Sequence, residues 1–214
     1  MICFENRQTY KRNTQDEQRQ KMLILASASK SRKEILTNAG LDFVVDVVKV
    51  NEEEIKETAM LPTTEIALKL AVEKAKPVSE KNKDAFVIGA DQILELNGKL
   101  FSKPADLTQA RKQLKKMRGK THTLVNGLAV MKNGEVLWSM HAGVRVTFRD
   151  FSDNFLENYL QKSGQDLLKT VGGYYIEGLG AQLVEKIDGD YFSVLGLPLL
   201  PLLGFLRSQG IIEK

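Results

Sequence analysis

The residues Leu23 to Leu36, LILASASKSRKEIL, hold the densest concentration of anion-binding chemistry in the chain. An apolar run passes into a serine-rich turn and then into a basic stretch of helical pattern. Helix N-termini carry free backbone N–H groups and the positive end of a dipole, so such a junction is a ready phosphate site. Ser27, Ser29 and Ser31 add hydroxyl donors, and Lys30, Arg32 and Lys33 add charge. Carboxylates supply the remaining chemistry. Asp91 follows the apolar run Ala85–Gly89, where it reads equally as a metal ligand or base and as a turn residue. Glu52, Glu53 and Glu54 read as a solvated helix start, or as a place where one or two acids bind a divalent cation. Lys103 precedes Pro104, which stiffens its loop. A phosphate cradle, two carboxylate positions and a lysine together suit metal-assisted attack on a phosphate ester or anhydride.

The elements that must position these groups alternate between strand and helix patterns. Leu23–Ala26 reads as a buried strand and Ser31–Ala39 as a helix closed by Gly40. Phe43–Val50 is β-rich. Thr63–Lys76 is helical, capped at Thr63 or Thr64 and ended by Pro77. Ala85–Gly89 reads as a short strand, with Asp91 at its end and a second strand running to Leu96. Asn97-Gly98 and Asn133-Gly134 are hairpin signals, the latter joining strands Thr121–Met131 and Glu135–Phe148. Helices are expected at Leu107–Met117, capped by Asp106, and at Ser152–Leu160, capped by Ser152. Gly172–Leu183 reads as irregular, and a C-terminal helix follows Pro198 or Pro201. Interleaved strands and helices place the chain in the α/β class with a mixed sheet.

Composition narrows the field further. At 214 residues with a net charge of +4, the chain fits one large domain or two lobes and suits anionic ligands. The single cysteine, Cys3, excludes an intrachain disulfide framework and a cysteine-based zinc site, and points to a reducing, cytoplasmic setting. No apolar run approaches membrane-helix length, so no membrane partner is expected. There is no P-loop motif and no HExxH. His122 and His141 stand alone on strand patterns and read as structural or surface residues. Positive charge is scattered among acids, which argues against a nucleic-acid partner. Residues 1–21 are polar and aperiodic and read as a disordered leader, with Met22 as an alternative start; residues 22–214 read as a single domain.

Several of these segments, in order, resemble the Maf family of nucleotide pyrophosphatases: LILASASKSRKEIL, VNEEE, LAVEKA, VIGADQILELNGKLFSKP, GKTHTLVNGLAV and GGYYIEGLGAQLVEKIDGDYFSVLGLP. The resemblance runs from Met22 to about Arg207. It implies hydrolysis of a nucleoside triphosphate to the monophosphate and pyrophosphate, a divalent metal (Mg²⁺ or Mn²⁺) and a homodimer. The fold it implies is an elongated mixed sheet flanked by helices, in two lobes with a central cleft, like that of inosine triphosphatases. Carried over, Asp91 is the general base, and Asp91 and Glu52 are the metal or water ligands. Arg32 and Lys103 hold phosphate oxygens, and Ser27 and Ser29 complete the cradle. Lys74, in LAVEKA, is a further phosphate candidate whose plain alternative is a solvent-facing helix residue.

Three positions depart from the family branch that prefers dTTP and UTP. Ser31 stands in place of a first arginine, Gln92 in place of a threonine, and Glu177 in place of a glutamine. These resemble the branch associated with 7-methyl-GTP, although that branch often carries a bulky residue where Ser31 stands. A role in cell-division arrest, also tied to the family, is the alternative from another functional class.

Overall fold

The computed structural model describes residues 22–58 and 61–213; the leader, residues 1–21, lies outside the described residues. The chain begins with β1 (Leu23–Leu25), α1 (Lys30–Asn38), β2 (Val44–Val45), α2 (Glu52–Thr58) and α3 (Thr63–Lys81). It continues through β3 (Phe86–Leu96), β4 (Lys99–Phe101), α4 (Leu107–Met117), β5 (Thr121–Lys132), β6 (Glu135–Phe148) and α5 (Asp153–Ser163). Short 3₁₀ turns occupy most of 164–183, and β7 (Val184–Asp188), α6 (Tyr191–Val194) and α7 (Leu199–Ser208) follow. The strands form one seven-stranded sheet in the order β2-β1-β3-β5-β6-β7, with β4 also paired to β3. β1 runs parallel to both of its neighbours, and the other pairings are antiparallel. The mixed α/β class read from the sequence is the class observed.

The two Asn-Gly pairs make the hairpins. Asn97 and Gly98 have φ of 52° and 74°, and Asn133 and Gly134 have 51° and 77°, the left-handed pair that a tight antiparallel turn requires. Asp106 and Ser152 cap α4 and α5, each side chain accepting from the backbone N–H three residues on.

Four expectations need correction. Phe86–Leu96 is one continuous strand rather than two, so Asp91 lies in mid-strand. Its neighbours across the ladder, Gly127 and Asn126, keep the pairing unbroken through Asp91 and Gln92. Pro77 does not end α3, which runs on to Lys81 and is capped by Pro62 rather than by a threonine. Proline deprives the carbonyl of Glu73 of its helical partner, but Glu73 is only half-buried and water can serve it. Ala75, Val78 and Ser79 pack the helix on both sides of the proline. Only Val44–Val45 of the β-rich run 43–50 pairs as strand, because β1 offers just three residues to pair with. β7 lies past the glycine-rich segment and went unread.

The core falls into two main parts joined by the long strands. One part packs α1 and α7 on β1 and the first half of β3. The other packs α4, α5 and Tyr174 on the far ends of β3, β5 and β6. On the edge of β3 turned away from β5, β1 reaches Ile88 and β4 begins at Leu94. The stretch 89–93 therefore has no strand on that edge among the described residues. This break in the sheet edge lies between the two main parts of the core.

His122, on β5, is 1% exposed and sits edge-on to Phe148 and Tyr174, with Nε2 2.9 Å from the Tyr174 hydroxyl. Burial pushes its pKa down from 6.5 to about 4. The folded chain thus keeps a neutral imidazole where the unfolded chain, below pH 6.5, takes up a proton. Stability is full above about pH 6.5 and falls by up to ~3 kcal/mol as pH drops to about 4. Melting temperatures followed from pH 7 to pH 4 are expected to fall more steeply for the native chain than for His122→Gln. Parallel slopes would show that this imidazole does not titrate as described.

Candidate active site

The serine turn caps α1 and anchors an arginine. Ser29 is the N-cap of α1, its Oγ accepting from the backbone N–H of Arg32 at 3.5 Å. Ser27 Oγ accepts from the N–H of Ser29 at 3.3 Å and from Arg32 Nη1 at 3.0 Å. Arg32 is buried and spans the break in the sheet: Nη1 also donates to Ala90 O at 2.9 Å, and Nε donates to Gly196 O at 2.8 Å. Much of its donor capacity therefore braces the loop after β1 to β3 and to the turn after α6. Burial lowers the pKa of its guanidinium from the ordinary value, with Asp91 and Glu52 acting in the opposite sense.

Asp91 owes its surroundings to two glycines. Side chains alternate along a strand, so Gly89 and Asp91 share one face of β3, and Gly127, opposite Asp91 on β5, shares it too. That face carries α3 at unusually short range. A Cβ on Gly89 would lie 2.0 Å from Ala71 O, and one on Gly127 would lie 2.1 Å from Ala67 O. The stripe Ala67, Ala71, Ala75 on α3 is fully buried against these glycines. The close approach brings Lys74 to the carboxylates. Its Nζ lies 2.5 Å from Asp91 Oδ1 and 2.7 Å from Glu52 Oε1. Lys74 is therefore not a solvent-facing residue: its side chain is 15% exposed and bridges two acids that are distant in sequence.

Asp91 Oδ2 is buried and has no hydrogen-bond partner among the described residues. Burial alone would raise the Glu52 carboxyl, but the hydrogen bond and charge of Lys74, with the charges of Lys56 and Lys103, hold it below the ordinary glutamate range. Lys103 stands exposed on its loop, whose Ser102 carbonyl accepts from Gln113 Nε2 at 3.0 Å.

These groups line one cleft of about 1130 Å³, ample for a nucleotide. All ten residues singled out from the sequence reach it: Ser27, Ser29, Ser31, Arg32, Glu52, Lys74, Asp91, Gln92, Lys103 and Glu177. Glu177 is exposed at the rim. Gln92 is half-buried, its amide nitrogen turned inward onto protein acceptors. The glycines that seat α3, and the buried Asn126, were not read as part of the site. The alternation of alanines at every fourth position in α3, and a lone Asn in the apolar run TLVNGLAV, were the available signals.

For the divalent cation implied by the resemblance, the donor set fits a partial site. Among the described residues no cluster of three or more His, Cys, Asp or Glu side chains forms a cage. The buried, unpartnered Asp91 Oδ2 is nonetheless the kind of hard oxygen such a cation takes. Mg²⁺ is commonly held by one or two carboxylates with the rest of its shell from water and substrate phosphates.

Comparison with known proteins gives consistent matches. A family profile described as "Maf-like protein" matches residues 22–209. A nucleoside triphosphate pyrophosphatase of Nitrobacter hamburgensis is 43% identical over 90% of this chain and 96% of its own length. A 7-methyl-GTP pyrophosphatase of Rhizobium meliloti is 41% identical over 90% of this chain and 98% of its own. Among solved structures, a HAM1 protein from Coxiella burnetii has a TM-score of 0.37 at 14% identity, covering 61% of this chain and 74% of that one.

Proposed function

The chain belongs to the Maf-like protein family, and from that premise we propose that it hydrolyses a nucleoside triphosphate to the monophosphate and pyrophosphate. The observation that carries the reading is the buried, unpartnered Asp91 Oδ2, held in a nucleotide-sized cleft beside the capped N-terminus of α1. Asp91 is the general base. Lys74 pairs with Oδ1, leaving Oδ2 to accept a proton from water. That water attacks the α-phosphorus, the bond from the α-phosphorus to the bridging oxygen breaks, and pyrophosphate leaves. Lys103, the α1 N-terminus, the Ser27 and Ser29 hydroxyls and the remaining guanidinium N–H groups of Arg32 hold phosphate oxygens. Asp91 and Glu52 would hold a Mg²⁺ or Mn²⁺ ion, which when bound polarises a phosphoryl oxygen. Released pyrophosphate from a panel of normal and modified triphosphates, with each metal, tests the activity; no release from any of them would refute it.

Within that class, 7-methyl-GTP is the proposed substrate. Relatives from Rhizobium meliloti and Bartonella quintana carry that name. Glu177 at the cleft rim supports it chemically, because a carboxylate only accepts. Guanine offers N1–H and N2–H₂ side by side, and methylation at N7 adds positive charge that a carboxylate favours. Glu177→Gln is expected to lower kcat/KM for 7-methyl-GTP relative to UTP by about tenfold, the worth of one charge-assisted hydrogen bond. An unchanged ratio would remove Glu177 from base reading.

A further inference from the structure

Gln92 lies opposite Asn126 in the β3–β5 ladder, on the face of β3 away from Asp91. Its Nε2 is surrounded by three oxygens: Ser193 O at 3.0 Å, Val194 O at 3.2 Å and Asn126 Oδ1 at 3.3 Å. Two of these are main-chain carbonyls, which only accept, so the terminal atom facing them must be the amide nitrogen. The same logic settles Asn126. Its Nδ2 donates to Ser193 O at 2.9 Å, which turns Oδ1 toward Gln92. The turn bearing the two carbonyls is itself fastened, because Asp190 accepts from both the N–H and the hydroxyl of Ser193 at 2.7 and 2.8 Å. Asn126 is 0% exposed, so no water competes for these bonds.

The consequence is a fixed polarity. With its nitrogen captured, Gln92 has only the oxygen Oε1 left for the cleft it lines, and among the described residues nothing donates to that oxygen. Phosphate oxygens carry no donor at neutral pH, so an acceptor here cannot hold the triphosphate. On such a substrate, the groups it can meet are the N–H and O–H donors of the nucleoside.

We propose that Asn126 is a positioning residue for substrate selection. Through Ser193 O and Gln92 Nε2 it holds Gln92 so that Oε1 accepts from a donor on the nucleoside, a purine with an N–H edge such as guanine. The proposal rests on the nucleoside triphosphate reading above and adds to it a residue that touches no substrate.

The test uses the full chain, 7-methyl-GTP as substrate, and inorganic tripolyphosphate as a competitor with no nucleoside. Asn126→Asp sets a carboxylate oxygen against Ser193 O, and Gln92→Leu removes the acceptor itself. Each is expected to raise KM for 7-methyl-GTP about tenfold, the loss of one hydrogen bond, with kcat within twofold and the inhibition constant of tripolyphosphate unchanged. The double variant is expected to do no more than Gln92→Leu alone, because Asn126 acts through Gln92. Additive effects would overturn the proposal, as would an unchanged KM in either folded variant. So would a parallel loss of kcat and tripolyphosphate binding, which marks a merely structural role. If Asn126→Asp fails to fold, Asn126→Ala, which removes the acceptor for Gln92 Nε2 without adding charge, takes its place with the same expected and overturning results. If the native chain hydrolyses no triphosphate, the parent reading fails first, and the two failures are distinct.

Discussion

Asp91→Asn is expected to lower kcat for pyrophosphate release by about 10³-fold, in the middle of the range for loss of a general base. Apart from the cation-holding role proposed for the same carboxylate, the substitution changes little else. An asparagine carbonyl oxygen still accepts from Lys74, and Lys74 keeps its second partner, Glu52 Oε1, at 2.7 Å. What changes is the atom at the Oδ2 position, which becomes a donor and can no longer take a proton from water. Circular dichroism and the melting temperature are therefore expected to match the native chain while turnover collapses. The same variant separates the enzymatic reading from a purely regulatory one, since a binding surface elsewhere on the molecule would survive it. A variant that still turns over within tenfold of the native rate would place the base at another residue.

Gly127→Ala is expected to lower the melting temperature by roughly 5–10 °C, from about 2–3 kcal/mol of overpacking. The added Cβ would meet the main chain of α3, Ala67 O at 2.1 Å and Leu68 N at 2.5 Å, with no flexible side-chain tip to yield. Either the strand or the helix must retreat. If α3 retreats, it carries Lys74 away from Asp91 and Glu52, so activity is expected to fall along with stability. Gly204→Ala is the control. Its Cβ would meet nothing within 4 Å in α7, so its melting temperature is expected to hold or rise slightly. Equal behaviour of the two variants would mean that the close approach of α3 does not constrain the fold.

Local chemistry was legible in the sequence where one short segment carries it. The Asn-Gly hairpins, the Asp106 and Ser152 caps, the serine turn and the α/β alternation each rest on a few adjacent residues, and each appears in the structure. Asp91 was legible as a candidate but misplaced, because an aspartate interrupting an apolar run looks like a strand end. The break lies instead on the other side of the ladder edge, where β1 and β4 stop short of each other. Lys74 was legible only as a helical lysine. Its partners are 17 and 22 positions away, and what joins them is the depth to which α3 sinks onto Gly89 and Gly127. Pro77 misled because a proline's effect depends on whether its surroundings hold the helix. Asn126 was silent for the same kind of reason: a buried amide declares its role only through its partners.

The strands β3, β5 and β6 run without interruption through both halves of the core, past the break that opens the cleft. Bringing the halves together like jaws would have to bend those strands in mid-ladder, against the β3–β5 pairing on either side of Asp91. That makes the molecule a fixed-gauge vise. Its opening is set at folding, and adjustment to a guest falls to the turns of 164–183, which border the cleft without belonging to the sheet. In such a frame the room for a guest is set by the gap between β1 and β4 and by those turns, rather than by a swing of one half against the other.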